Sequence, residues 1–344
     1  MIKTFEKFDV NSRQKENRLP HIDIMKGFAI FFVVMGHVIA WWYPDFSQNI
    51  NLLPFNSICL WKFIYSFHMA LFLFISGYVA FNPNKTYTVK KTAIRIFSYL
   101  IPFISIGILL HFFRGSVITN YWYLRTLSLF IIVLFLFIKV FDLIKVKKRY
   151  IIDIALVILY ILIFQLLKYI CTLHTICDLI FDGSHLIYAI FFISGWILRK
   201  YNTIEIYVAS DIIASISFIF MFLYLITGYP LLDIKIHSFL CIFFFLNISK
   251  KIESQRLASY LKHIGTETLA IYLLHFFFTI KLHFLGQYLI NYSNADLSTS
   301  LSLQLFIGTL ITTILIKCSV FVYNMLNKNQ VLSVILFGEI KKYI

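Results

Sequence analysis

HIDIMKGFAIFFVVMGHVIAWW, residues 21–42, decides how the chain is read. It is apolar enough to cross a bilayer, yet it carries Asp23 and Lys26 at its head and His37 in its interior. As an α-helix rising about 1.5 Å per residue, it places His37 roughly 16 Å beyond Lys26, about halfway through a ~30 Å hydrocarbon core. A titratable side chain is costly at that depth, and such groups face a cavity or a partner rather than lipid. The segment follows a polar stretch of about twenty residues, and it ends in Trp41, Trp42 and Tyr43 without a small-residue cleavage site. It therefore reads as a retained span and not a secretory signal.

The rest of the composition agrees. Of 344 residues, 60% are hydrophobic and 19% aromatic, and the mean hydropathy is +0.82. These values exclude an ordinary water-soluble domain. The formal charge of +15 does not point to nucleic acid, because no basic module with interleaved aromatics receives it. The basic residues instead fall in alternate short connections, as expected of a polytopic protein oriented by its cytoplasmic charge. Five cysteines, Cys59, Cys171, Cys177, Cys241 and Cys318, show no metal-ligand spacing. Whether Cys171 and Cys177, in one loop, pair with each other is left open.

Apolar runs predict an all-α transmembrane bundle of about ten spans. They cover 22–42, 58–81, 93–113, 121–138, 150–170, 185–199, 207–228, 234–248, 265–285 and 303–326, of which the sixth and eighth are short. No linker or repeat divides the chain and nothing soluble follows the last run, so residues 1–344 read as one integral-membrane domain with a cytoplasmic tail at 1–20. Lys3, Lys7, Arg13, Lys15 and Arg18 mark the first cytoplasmic segment. Lys85, Lys90 and Lys91 mark the next, and Lys139, Lys145, Lys147, Lys148 and Arg149 the one after. Arg199 and Lys200, then Lys250, Lys251, Arg256 and Lys262, and finally Lys328, Lys341 and Lys342 fall on the same side, placing both termini in the cytoplasm.

Several polar residues interrupt this pattern. YSFHMALFLFISGYVAF, residues 65–81, carries His68 about 13 Å below the outer start of its helix. His37 and His68 thus reach similar depth on consecutive antiparallel helices, which short connections make neighbours. KKTAIRIFSYLIP, residues 90–102, sets Lys90, Lys91 and Arg95 as a cationic collar at the cytosolic mouth. Arg95, a turn inside the apolar run, either grips a phosphate or pairs with a carboxylate, and a kink at Pro102 frees a carbonyl to line a cavity. NYWYLRTL, residues 120–127, puts Trp122 and Arg125 at the outer interface, as an aromatic belt with a snorkelling arginine or as a polar contact surface. IGTETLAIYLLHF, residues 264–276, spaces Glu267, Tyr272 and His275 along one helix, with Glu267 and His275 two turns apart. His185, His237, Asp153 and Asp211, near span ends, read as structural, and Ser76 with Gly77 as a close helix contact. No Walker loop, HExxH or dinucleotide glycine fingerprint is present.

Taken together, these residues resemble the acyltransferase-3 family of membrane acyltransferases. Lys26, ten intervening residues and His37 are similar to its first-helix signature; FHMALFLFISGY resembles the second, and the basic stretch through Arg95 and Pro102 the third. WYL and IYLLH resemble later landmarks. Ala70 stands where the family often has proline, and Lys91 and Arg95 are spaced one residue wider than its paired arginines.

The resemblance implies a stand-alone O-acetyltransferase of the bacterial cytoplasmic membrane. Its donor would be cytosolic acetyl-CoA, with no metal, and its acceptor a surface glycan or lipid-linked glycan precursor. His37 is then the expected general base with His68 as partner or oxyanion donor, and Asp23 and Lys26 fix the helix mouth. Lys90, Lys91 and Arg95 hold the CoA phosphates, while Trp122, Arg125, Glu267, Tyr272 and His275 line the acceptor side. The rival reading is a secondary transporter or flippase with a midplane histidine site, but the chain lacks the related halves that such proteins often show. Lipid is the surrounding partner in either case; oligomeric state is open.

Overall fold

A computed structural model describes residues 19–82, 87–115, 121–143, 149–293 and 296–340. The basic tail before residue 19, and Lys85, Lys145, Lys147, Lys148, Lys341 and Lys342, lie outside the described residues.

Every regular element among the described residues is helical. We number the main ones α1 Pro20–Ala40, α2 Phe55–Tyr65, α3 His68–Ala80, α4 Val89–Arg114, α5 Trp122–Asp142, α6 Arg149–Leu173, α7 Ala189–Lys200, α8 Asn202–Val208, α9 Asp211–Thr227, α10 Ile234–Lys251, α11 Arg256–Thr266, α12 Thr268–Leu274, α13 His283–Ser293, α14 Leu297–Leu326 and α15 Gln330–Phe337. A 3₁₀ turn, His275–Phe278, follows α12.

Six stretches are long and apolar enough to cross a membrane: α1, α2 with α3, α4, α5, α6 and α14. The bent pairs α8/α9 (53°) and Thr268–Phe278/His283–Asn291 (86°) raise the number to eight if each is one span. Among the described residues, length and composition thus support six to eight spans and not the full ten expected from hydropathy. The sixth run is a helix of only 12 residues, about 18 Å long at 1.5 Å per residue and too short for a ~30 Å core. The eighth, α10, has Lys235, Lys250 and Lys251 at its ends. The ninth does not run straight, because hydropathy records apolar length and is blind to a bend.

α1 is the buried axis of the molecule. Pro20 at its start supplies a pre-set φ and lacks only an N–H that would have no helical partner there. Its flanks are covered by α11, α14, α3, α10, α2 and α12, whereas α4, α6 and α14 leave large apolar side chains such as Phe112, Leu162 and Phe306 exposed to the lipid side. Contact with α11 is made through glycine on both helices: Gly27 lies against the Leu261 carbonyl, and Gly265 against the carbonyl of Asp23. α3 and α7 cross in the same way, with Gly77 against the Phe192 carbonyl and Gly195 against that of Phe74. The close-contact reading of Gly77 is thus realised. In lipid, where apolar burial gives helices little reason to associate, such small-residue crossings let backbones approach and gain dispersion contacts.

The second span breaks at Ser66 and Phe67, where the backbone leaves helical angles (Phe67 φ −144°, ψ −22°). The freed groups are satisfied from α10: Ser238 donates to the Ser66 carbonyl (2.7 Å), and the His237 ring lies 3.1 Å from the Ser66 hydroxyl. Gln304 of α14 similarly serves the kinked start of α2, accepting from Leu60 N (3.2 Å) and donating to the Asn56 carbonyl (2.8 Å). Irregular backbone survives at membrane depth only with such partners.

Asp296 caps the N-terminus of α14, accepting from the amides of Ser298 (3.0 Å) and Thr299 (3.2 Å). The hydroxyls of Thr299 and Ser298 hold its carboxyl well below the usual carboxylate range. Its capping contribution is therefore full above the ordinary carboxylate pKa and fades as pH falls through the depressed one.

Gly265→Ala forces a Cβ into the Asp23 carbonyl, which cannot retreat within a helix; we expect destabilisation of about 2–3 kcal/mol, read as a lower unfolding midpoint in detergent. Gly308→Ala, whose Cβ would meet only the flexible tip of Met35 at 3.1 Å, is expected to cost less than about 1 kcal/mol.

Candidate functional site

Three cavities adjoin at the end of α3 where Val79 lies. The largest, about 490 Å³, is lined by Asn82, Tyr87, Lys91, Arg95 and Tyr99, with an apolar wall of Ile131, Leu134 and Phe135. A second, about 210 Å³, holds Asp23, Lys26, Tyr78, Asn82, Arg199 and Thr266. The third, about 300 Å³, leads inward past Lys26, Ser76, Tyr99, Tyr123, Thr266 and Thr268 to Tyr272. Val79 belongs to all three, Tyr99 joins the first to the third, and Lys26 and Thr266 join the second to the third.

Helical spacing explains the cationic cavity. Lys91 and Arg95 are one turn apart on α4 and so share a face. Lys90 points away: it is exposed and lines none of these cavities. Lys26 Nζ pairs with Asp23 at 2.9 Å, the three-residue spacing on α1 doing what it predicts. Within the inner cavity the Ser76 and Tyr123 hydroxyls share a hydrogen bond of 2.7 Å, and no carboxylate is among the lining residues.

Tyr272 leads on to the histidines. Its ring centroid is 6.2 Å from that of His275, whose ring lies 5.3 Å from His37. Trp41, Tyr65 and Phe276 complete the surround of His37, which is half-buried. His275 is fully buried; its Nδ1 lies 3.0 Å from the Ile271 carbonyl, and its Nε2 has no hydrogen-bond partner. A carbonyl only accepts, so Nδ1 carries the proton, and Nε2 of the neutral ring presents a lone pair.

The nearest imidazole to His37 is therefore that of His275 and not, as depth alone suggested, that of His68. Tyr65 links the two, its ring 6.4 Å from His37 and 4.5 Å from His68. His68 Nδ1 lies 2.9 Å from the Ile64 carbonyl, which also accepts from Phe67 N at 3.2 Å. A neutral His68 thus donates to backbone and has no second N–H for an oxyanion, which corrects the expected oxyanion role.

Trp122 and Arg125 belong to a separate cluster with Asp182 and His185. Trp122 stacks on His185 with centroids 3.6 Å apart, and Arg125 reaches Asp182 at 3.2 Å; His185 Nδ1 meets the same carboxylate at 2.8 Å. Glu267 and His275 stand at opposite ends of α12 as N-cap and C-cap, the eight-residue separation amounting to about 12 Å along the axis. The residues read as structural are bonded within the bundle: Asp153 to Lys200 and Tyr201, Asp211 to Lys251 and Asn247, His237 to Ser66. Cys171 and Cys177 are free thiols.

Sequence reasoning passed over Arg199, Tyr78, Tyr99, Asn82 and Asp182. Arg199 was hidden among residues explained by membrane orientation, and the others carry no spacing signal.

A family model described as an acyltransferase domain matches residues 19–320. The chain belongs to the acyltransferase-3 family. It is a multi-pass membrane acyltransferase, and the match runs from the start of α1 almost to the end of α14. No curated protein and no solved structure matches it.

If His68 is a backbone anchor, His68→Asn, whose amide can still donate to the Ile64 carbonyl, should unfold near the wild-type midpoint. His68→Leu removes one of the two donors to that carbonyl, which keeps Phe67 N, and is expected to lose about 0.5–1.5 kcal/mol. Thermal unfolding of the two variants in detergent separates the cases.

Proposed function

We propose that this membrane acyltransferase transfers acetyl from cytosolic acetyl-CoA to a hydroxyl of a bacterial surface polysaccharide or of its lipid-linked precursor, working in the cytoplasmic membrane. The observation that carries this reading is the buried, unpartnered Nε2 of His275 beside His37, one ring beyond Tyr272 at the inner end of a cavity that adjoins the cationic mouth.

Lys91 and Arg95 hold the phosphates of the donor at the mouth, with Lys90 adding charge at the surface. The uncharged pantetheine arm threads between Tyr99, Ser76 and Tyr123, whose hydroxyls suit its amides. Asp23 and Lys26 fix the wall where the passage narrows. A small rotation of the His37 ring lets its single N–H donate to His275 Nε2, which orients the other ring nitrogen as a base toward the acceptor hydroxyl. As that nitrogen takes the proton, the hydroxyl oxygen attacks the thioester carbonyl; the C–S bond breaks, and the imidazolium returns the proton to the departing CoA thiolate. Trp122 and Arg125 stiffen the outer wall on which the sugar rests. Tyr272 lines its floor, and Glu267 supports the break between α11 and α12.

Purified protein in nanodiscs, supplied with radiolabelled acetyl-CoA and candidate glycans, tests the assignment. His37→Ala is expected to slow transfer by about 100-fold or more at normal expression. His275→Asn retains a donor for the Ile271 carbonyl but lacks Nε2, and is expected to lower kcat about tenfold with KM for acetyl-CoA unchanged. Undiminished acetylation by His37→Ala would remove it as base, and gradient-driven flux without transfer would favour a transporter.

A further inference from the structure

Beside the Arg95 cavity lies one that neither composition nor motif spacing suggests. The 210 Å³ chamber is smaller than its neighbour, and its lining is mostly polar: Asp23, Lys26, Tyr78, Asn82, Arg199 and Thr266 stand against four apolar side chains. Arg199, at the end of α7, donates to the Tyr78 hydroxyl at 3.4 Å, and its guanidinium lies 5.3 Å from the centre of the Tyr78 ring. That hydroxyl in turn donates to Glu205 at 2.6 Å. Glu205, only 3% exposed, is neutralised by Lys250 at 2.6 Å, with His21 at 3.8 Å. Asp23 is neutralised by Lys26. Among the described residues no carboxylate pairs with Arg199, so the surplus cation of this cluster is the one facing the chamber.

A half-buried guanidinium held against an aromatic ring, its remaining donors turned to a small polar chamber, is built to receive a compact oxyanion. The chamber meets the Arg95 cavity at Val79 and Asn82. Two cationic compartments on one mouth match a donor with two separated phosphate groups. The larger compartment, with its apolar wall, has room for a nucleotide and its diphosphate; the smaller suits a single phosphate branching from it.

We infer that Arg199, with Asn82, forms a second anion subsite that receives the ribose 3′-phosphate of the acyl-CoA donor and so selects CoA over carriers that present only phosphopantetheine. This rests on the acetyl-CoA reading above. It separates the two compartments functionally: Arg95 serves any donor with a diphosphate, Arg199 only one with the 3′-phosphate.

Binding of CoA and of 3′-dephospho-CoA to the purified protein in nanodiscs, followed by calorimetry, tests it. The wild type is expected to bind CoA about tenfold more tightly, a charge-assisted contact of about 1.4 kcal/mol. Arg199→Gln should reduce CoA affinity to that of the dephospho form and leave the latter unchanged, whereas Arg95→Gln should weaken both. Equal affinity of the wild type for the two ligands overturns the inference without any variant, and so does an equal loss of both in Arg199→Gln. If CoA does not bind the wild type at all, the donor reading itself fails along with the subsite.

Discussion

The crossing of α1 and α11 is the contact on which the site depends. At Gly27 and Gly265 the two backbones touch with no side chain between them, and this close approach places Asp23 and Lys26 at a seam instead of under a layer of apolar residues. Water does not drive helices together inside a bilayer, so the seam is held by dispersion and shape. It is also where the second and third cavities meet, since Lys26 from α1 and Thr266 from the end of α11 line both. A wider crossing would separate those walls and open the passage sideways.

Broken helices do the remaining positioning. A continuous helix satisfies its own carbonyls and leaves histidine rings without backbone work. Here the carbonyls of Ile64 and Ile271, in the last turns of α2 and α12, each accept one backbone N–H, from Phe67 and His275, and His68 and His275 each turn Nδ1 toward the second lone pair. The same bond does two things. It gives a buried ring N–H a partner in a medium that supplies no water, and it sets the tautomer of the ring, so that Nε2 of each neutral histidine is a lone pair. For His275 that nitrogen is buried without a partner next to His37.

These bonds explain what could be read in the chain and what could not. The Asp23–Lys26 pair, the shared face of Lys91 and Arg95, the membrane class and the small-residue contact at Gly77 follow from helical periodicity, and periodicity is a property of sequence. Family signatures add His37 and the IYLLH segment. His275 as neighbour of His37 depends on the folding back of α11, α12 and α13 across α1, and nothing in the spacing of residues 264–276 records an 86° turn a few residues later. His68 was misjudged because depth is one-dimensional: two rings at one level can still have a tyrosine between them. Arg199 was unreadable for a different reason. Every arginine in the alternate basic connections satisfies the charge rule for orientation, so only the three-dimensional balance of Glu205 against Lys250 separates a surplus cation from an anchor.

The distribution of charge along the passage follows from the cost of desolvation. Lys91 and Arg95, and Arg199 beside them, stand at the end where α3 terminates and α4 begins; further in, Lys26, already matched by Asp23, is the only charged side chain lining the inner cavity among the described residues. An anion carried inward from the mouth would lose hydration and gain no unpaired cation, a penalty of several kcal/mol per charge. An uncharged arm meets both tyrosine, serine and threonine hydroxyls and the apolar side chains of Phe72, Ile75, Leu124, Leu127 and Leu269, and loses little. On the donor reading proposed above, such a gradient would hold a phosphorylated end at the mouth and admit a neutral one. His37, half-buried among aromatic rings, lies beyond Tyr272 with the His275 lone pair beside it.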